Sequence, residues 1–203
     1  TKGSPKPSLG DRVLLKGEFK LKRGNIQFVV SKVQKMESRG SHEVRLEQLK
    51  QQLLAEGIFS EDRKRPLPRF PRRVGIVTSK ESAALQDVLK VLQQRIPSAV
   101  PVLSDTTTEG AHAAPDIRRA IERLQLEGEC DVIIVTRGGG SRESLMGFND
   151  EAVIRAIADC DVPVVCAIGH ETDYTLSEMA ADLRASTPTK AAQEVATISE
   201  QEI

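Results

Sequence analysis

The chain has 203 residues, 39% hydrophobic and 29% charged, enough to bury one full domain core with a smaller piece beside it. Its 29 basic residues match its 29 acidic ones, so net charge points to no polyanionic partner, although local patches stay open. No apolar run approaches the roughly 20 residues of a membrane helix and no signal-like segment opens the chain; Cys130, Cys160 and Cys166 lack paired metal spacing, which favours a reduced, cytoplasmic setting in which they serve as small apolar filler.

The N-terminal part is basic: Lys2, Lys6, Arg12, Lys16, Lys20, Lys22, Arg23, Lys32 and Lys35 lead to Arg63-Lys64-Arg65 and the Arg69–Arg73 cluster. Such a gradient suits either a polyanion lying along it or a solvated basic face. Residues 11–35 alternate in strand fashion around Lys22-Arg-Gly-Asn25, which predicts two strands, too few for a stable domain and suggestive of the last part of a small β-barrel. Leu46, Leu49, Leu53 and Leu54 then recur at helical spacing, with Gly57 as the stop. The basic, proline-rich Lys64–Pro71 is the best domain boundary in the sequence.

From Arg73 onward, strand and helix patterns alternate: Val74–Val77 before 82–95, Val100–Leu103 before 110–127, Asp131–Val135 before 149–159 and Val162–Ile168 before 174–186. The pattern predicts an α/β fold, a parallel sheet with helices on both faces and ligands at the carboxyl ends of the strands. The connections at Thr78-Ser79, Asp105–Gly110, Arg137–Ser141 and Gly169–Asp173 then converge on one rim. The chain starts at Thr1 and ends at Ile203 without a helix stop signal, and we expect a piece of a longer chain, divided as residues 1–36, 37–71, 72–190 and 191–203.

Chemistry concentrates at two of those connections. Arg137, Gly138, Gly139, Gly140 and Ser141 follow an apolar strand, and glycines there let backbone N–H groups approach an anion while Arg137 adds fixed charge. The run is neither a dinucleotide fingerprint nor a nucleoside-triphosphate loop, so a phosphate contact competes with a plain tight turn. Gly169-His170-Glu171-Thr172-Asp173 places an imidazole and two carboxylates at the next strand end. Asp173 either orients His170 or caps the following helix, roles that can coexist. Thr78 and Ser79 read as a phosphate contact or a cap before Ala83-Ala84, and Asp87 lies one turn into that helix, either near the rim or simply as an exposed acid. His42 and His112 have no partner at metal-ligand spacing. Asp182-Leu-Arg184 and Thr187-Pro-Thr189 read as capping signals, with Pro188 at a first helical position.

Taken together, these strings resemble the exodeoxyribonuclease VII large-subunit family: Val77-Thr-Ser79 with Ala83-Ala84 and Asp87, Arg137-Gly-Gly-Gly-Ser141 with Phe148-Asn149, Gly169-His-Glu-Thr-Asp173, Ala181-Asp-Leu-Arg-Ala185 and Thr187-Pro-Thr189. The resemblance implies the end of an OB-fold at residues 1–36, a linker at 37–71, a catalytic α/β domain at 72–190 and the start of a helical segment at 191–203 that recruits small subunits. It also implies exonucleolytic hydrolysis of single-stranded DNA from either end into short oligonucleotides, with no divalent metal required. Asp87, Arg137, His170 and Asp173 match the family's catalytic residues. Carboxylates at Asp87, Glu171 and Asp173 leave Mg²⁺ open in principle. The sequence departs from the family pattern at Ser82 for glycine, Glu109 for glutamine and Ser144 for aspartate. The alternatives are a non-catalytic nucleotide- or phosphate-binding α/β module and an inactive DNA-binding fragment; the pairing of His170 with Asp173, which binding alone does not need, separates them from the enzyme.

Overall fold

The computed structural model describes residues 13–22, 25–35, 39–138, 142–169 and 174–196. The chain divides into two compact units, Thr1–Leu49 and Lys50–Ile203. In the first, β1 (Val13–Lys22) pairs antiparallel with β2 (Asn25–Lys35) from Val13 opposite Lys35 to Lys22 opposite Asn25. The Phe19 and Phe28 rings face each other across the pair at 4.8 Å between centroids. Leu14, Phe19, Leu21 and Ile26 stay exposed, and among the described residues of this unit the ribbon has no second sheet layer over it.

The division falls inside α1 (Arg39–Ala55), which ends as expected. Gly57 takes φ 73°, a left-handed conformation that costs glycine nothing. The N–H groups of Gly57 and Ile58 donate to the carbonyls of Leu54 and Leu53, each at 3.0 Å, which closes the last turn.

The second unit is a five-stranded sheet: β3 (Arg73–Thr78), β4 (Val100–Asp105), β5 (Val132–Thr136), β6 (Val164–Ala167) and β7 (Leu183–Arg184), in the spatial order β4-β3-β5-β6-β7. Every pairing is parallel, and the α/β architecture read from the alternating pattern is present. Val74, Ile76, Val132, Ile134, Val165 and Ala167 bury one face under α2 (Ala83–Arg95) and α6 (Pro188–Ala196), which supply Leu85, Val88, Leu92, Ala191, Ala192 and Val195. On the opposite face a Cβ added at Gly75 would stand 2.9 Å from the Leu124 side chain of α3 (Ala113–Glu127) and 3.1 Å from that of Ile133, so a larger residue there would force these side chains to shift. The helix α4 (Glu151–Ala158) adds Val153, Ile154 and Ile157 to the buried set. Each such aliphatic side chain, fully removed from water, contributes roughly 1.5–3 kcal/mol.

One expectation needs correcting. Residues 174–186 do not form a single helix: α5 covers only Leu176–Ala180, and the chain turns extended at Ala181 to add β7. The cause is Asp182, whose nearly inaccessible carboxylate accepts the Val164 N–H at 2.6 Å and the backbone N–H, Nε and Nη2 of Arg65. The Asp182 N–H in turn donates to the Val164 carbonyl. A helical continuation would forfeit this set.

Arg65 belongs to the segment that composition marks as a connector, and that segment is fastened to the second unit. Lys64 Nζ donates to the carbonyls of Met179 and Ala181, each at 2.6 Å, and burial lowers its pKa. Arg63 pairs with Asp159 at 2.9 Å. Lys64 and Arg65 are therefore engaged within the fold, while Arg63 pairs with Asp159 at the surface.

Candidate active site

The strand order creates the opening. From β3 the chain crosses through α2 to β4 on one side, then returns through α3 to β5 on the other, so the segments leaving β3 and β5 diverge to opposite faces. A crevice at the carboxyl ends of such strands is where open parallel sheets bind ligands. Here it is a cavity of about 170 Å³ lined by Ala83, Ala84 and Asp87 of α2, Arg137 and Gly138 after β5, Ala167–Gly169 after β6, and Ser186–Pro188 at the start of α6.

Two of the four expected catalytic residues, Asp87 and Arg137, thus share one cavity with Gly138. Asp87 is exposed. Arg137 is 4% exposed, and its Nε donates to the Ile168 carbonyl at 3.1 Å, which ties the guanidinium to the neighbouring strand end. Burial lowers the Arg137 pKa, with the negative charges of Glu109 and Glu178 acting in the other direction. His170, Asp173, Gly139, Gly140 and Ser141 lie outside the described residues.

The hydroxyls after β3 are placed differently from one another. Thr78 is fully buried, with its Oγ1 3.1 Å from the Ser82 Oγ. The cap of α2 is Ser82, whose Oγ accepts the Leu85 N–H at 3.1 Å, and not the Thr78-Ser79 pair. Serine at this departure from the family pattern therefore has a structural task. Ser79 lines a second, larger cleft of about 590 Å³, together with Lys80, Thr106–Glu109, Arg119 and Arg123. Among the described residues, the expected phosphate contacts Ser79 and Gly138 therefore stand in different openings.

Glu178 is a residue the sequence reading missed. Its side chain is wholly buried, and its carboxylate accepts the N–H groups of Gly169 (3.1 Å) and Thr175 (2.9 Å) and the Thr175 hydroxyl (3.0 Å). Arg184 stands 3.4 Å away on the same carboxylate. One side chain therefore grips both ends of residues 169–175, the stretch that carries the histidine string. The capping box Thr175-x-x-Glu178 was legible as a local motif; its hold on Gly169 was not.

Compared with known protein families, residues 58–203 match "Exonuclease VII, large subunit", which is most of the chain. This chain belongs to the exonuclease VII large-subunit family. It is similar to the exodeoxyribonuclease 7 large subunits of Thioalkalivibrio sulfidiphilus (44% identical over 97% of the chain and 44% of the relative), Yersinia enterocolitica (47%, over 93% and 41%) and Cronobacter sakazakii (49%, over 93% and 41%). It spans under half the length of these relatives.

Within this member of the exonuclease VII large-subunit family, several of the diagnostic strings prove to be scaffolding. Phe148 is fully buried and its carbonyl accepts the Ser177 hydroxyl, while Asn149 Oδ1 takes the Leu176 N–H at 2.8 Å. Both residues fix the start of α5. Thr187 Oγ1 accepts the Lys190 N–H at 3.1 Å and starts α6 with Pro188 in its first turn, as expected. No helix among the described residues is long and apolar enough to cross a membrane.

Proposed function

We propose that this chain is the hydrolytic part of an exonuclease that cleaves phosphodiester bonds of single-stranded DNA from either end and releases short oligonucleotides. The observation that carries the reading is the convergence of Asp87, Arg137 and Gly138 on one cavity at the divergence of β3 and β5, within the region matched to the family. Arg137 holds the scissile phosphate and the charge that builds on its oxygens, assisted by backbone N–H groups of Gly138, Gly139 and Gly140 and by Ser141; the buried Thr78 and the Ser79 of the other cleft take no part in that contact. His170 moves the proton, taking it from water or giving it to the leaving oxygen, and Asp173 fixes the imidazole tautomer. Asp87 is either the second acid–base partner or the group that orders the attacking water.

The reading extends to a cytoplasmic enzyme that works with small subunits, as the family resemblance implies, and that needs no divalent metal. The test is incubation with 5′- and 3′-labelled single strands, with and without chelator. Short oligonucleotides from both labels in both conditions are expected. Intact strands under all conditions would leave only a binding module, and loss of cleavage in chelator would assign Mg²⁺ to the carboxylates.

A further inference from the structure

In the second unit the aromatic ring of Tyr174 stands without a core to fill. Tyr174 is 64% exposed, although its neighbour Thr175 is buried and bonded to Glu178. One face of the ring is covered: the Arg184 guanidinium carbon lies 3.9 Å from the ring centroid, a stacked cation–π contact. Arg184 lies at the end of β7, next to β6 in the sheet, and its Nε is 3.4 Å from the buried Glu178 carboxylate. That carboxylate also holds the N–H of Gly169, which lines the cavity. Sheet, carboxylate, guanidinium and ring thus stand in succession, and the outermost member presents a flat apolar surface to solvent.

We infer that Tyr174 is a stacking platform for an unpaired nucleobase of the strand whose phosphate occupies the Arg137 cavity. The inference rests on the proposed DNA reading and deepens it, because an open π-face accepts any base and only bases freed from a duplex can lie flat on it. Selection of single strands is then built partly into the α/β unit itself. Arg184 contributes by holding the ring in one orientation and by giving the sandwich a cation on its far side.

This chain carries a single tyrosine and no tryptophan, so its tyrosine emission reports on Tyr174 alone. The experiment titrates the 203-residue chain with two cleavage-resistant phosphorothioate oligomers of equal length, an oligothymidylate and an abasic chain. Expected are quenching of the emission by oligothymidylate only, a loss of about 5- to 150-fold in its affinity for Y174A, near-normal affinity for Y174F, and no effect of Y174A on the abasic oligomer. Equal affinity of Y174A and the unchanged chain for oligothymidylate would overturn the stacking alone, as would equal losses for both oligomers or a Y174F as weak as Y174A. Failure of the unchanged chain to bind either oligomer would overturn the DNA reading, and the stacking with it.

Discussion

Arg137 Nε donates to the carbonyl oxygen of Ile168 at 3.1 Å, a bond that crosses from the end of β5 to the end of β6. One donor of the guanidinium is spent on orientation, and the planar group is thereby aimed. Lysine has the charge and rotatable donors but not the planar fork that fixes two of them in one geometry. Arg137→Lys should therefore lose both affinity for single-stranded DNA and turnover, the latter by at least about tenfold, the equivalent of one lost charge-assisted hydrogen bond. Cleavage of an end-labelled oligonucleotide at near-normal rate by the lysine variant would show that a point charge suffices.

For His170→Ala the expectation differs in kind. An imidazole that transfers protons adds little to binding, so cleavage should fall about 10²–10⁴-fold while oligonucleotide affinity stays within a few-fold. Parallel loss of affinity and rate would move His170 from proton transfer to substrate contact.

Glu178→Ala removes the acceptor of the Gly169 and Thr175 N–H groups. Each buried donor left without a partner costs about 1–3 kcal/mol, and denaturant unfolding should register a loss on the order of 3 kcal/mol. Glu178→Gln keeps an acceptor oxygen and should lose less stability. Because the carboxylate also backs Arg184, on which the Tyr174 ring stacks, the glutamine variant should weaken binding of oligothymidylate. Unchanged unfolding of the alanine variant would contradict the clamp.

The buried thiols make a pH prediction. Burial raises the pKa of Cys130, Cys160 and Cys166 above the ordinary 9.0, Cys166 most strongly. The folded chain keeps these protons after the unfolded chain has released them. Their contribution to stability is thus intact below pH 9 and declines as pH rises from there toward the folded-state values. At pH 8 a thiol reagent should label none of the three in the native chain and all three in denaturant; rapid native labelling would show that the core opens around them.

Much of this molecule was legible in its sequence because the strands of the sheet are short apolar runs and the main helices that follow them are periodic. The reading failed where distant residues decide. Leu183–Arg184 is too short to carry any period, and it becomes a strand only because Asp182 collects Val164 and Arg65 from elsewhere in the chain. The Arg63–Arg65 cluster looked available to a polyanion until its carboxylate and carbonyl partners were visible. At the site, residue types pointed to anion chemistry, yet that Asp87 and Gly138 share a cavity with Arg137 while Ser79 opens into another depends on how each segment leaves its strand.

The borders of the sheet have a consequence of their own. In β4 the N–H of Val100 points inward to the Arg72 carbonyl, and just past the strand that of Thr106 points inward to Thr78, so alternation turns position 101 outward, where Pro101 has no N–H to give. The opposite border, β7, is two residues long. A foreign strand arriving at either side meets a missing donor or too short a template. The α/β unit is thereby partly guarded against edge-to-edge pairing with a second copy.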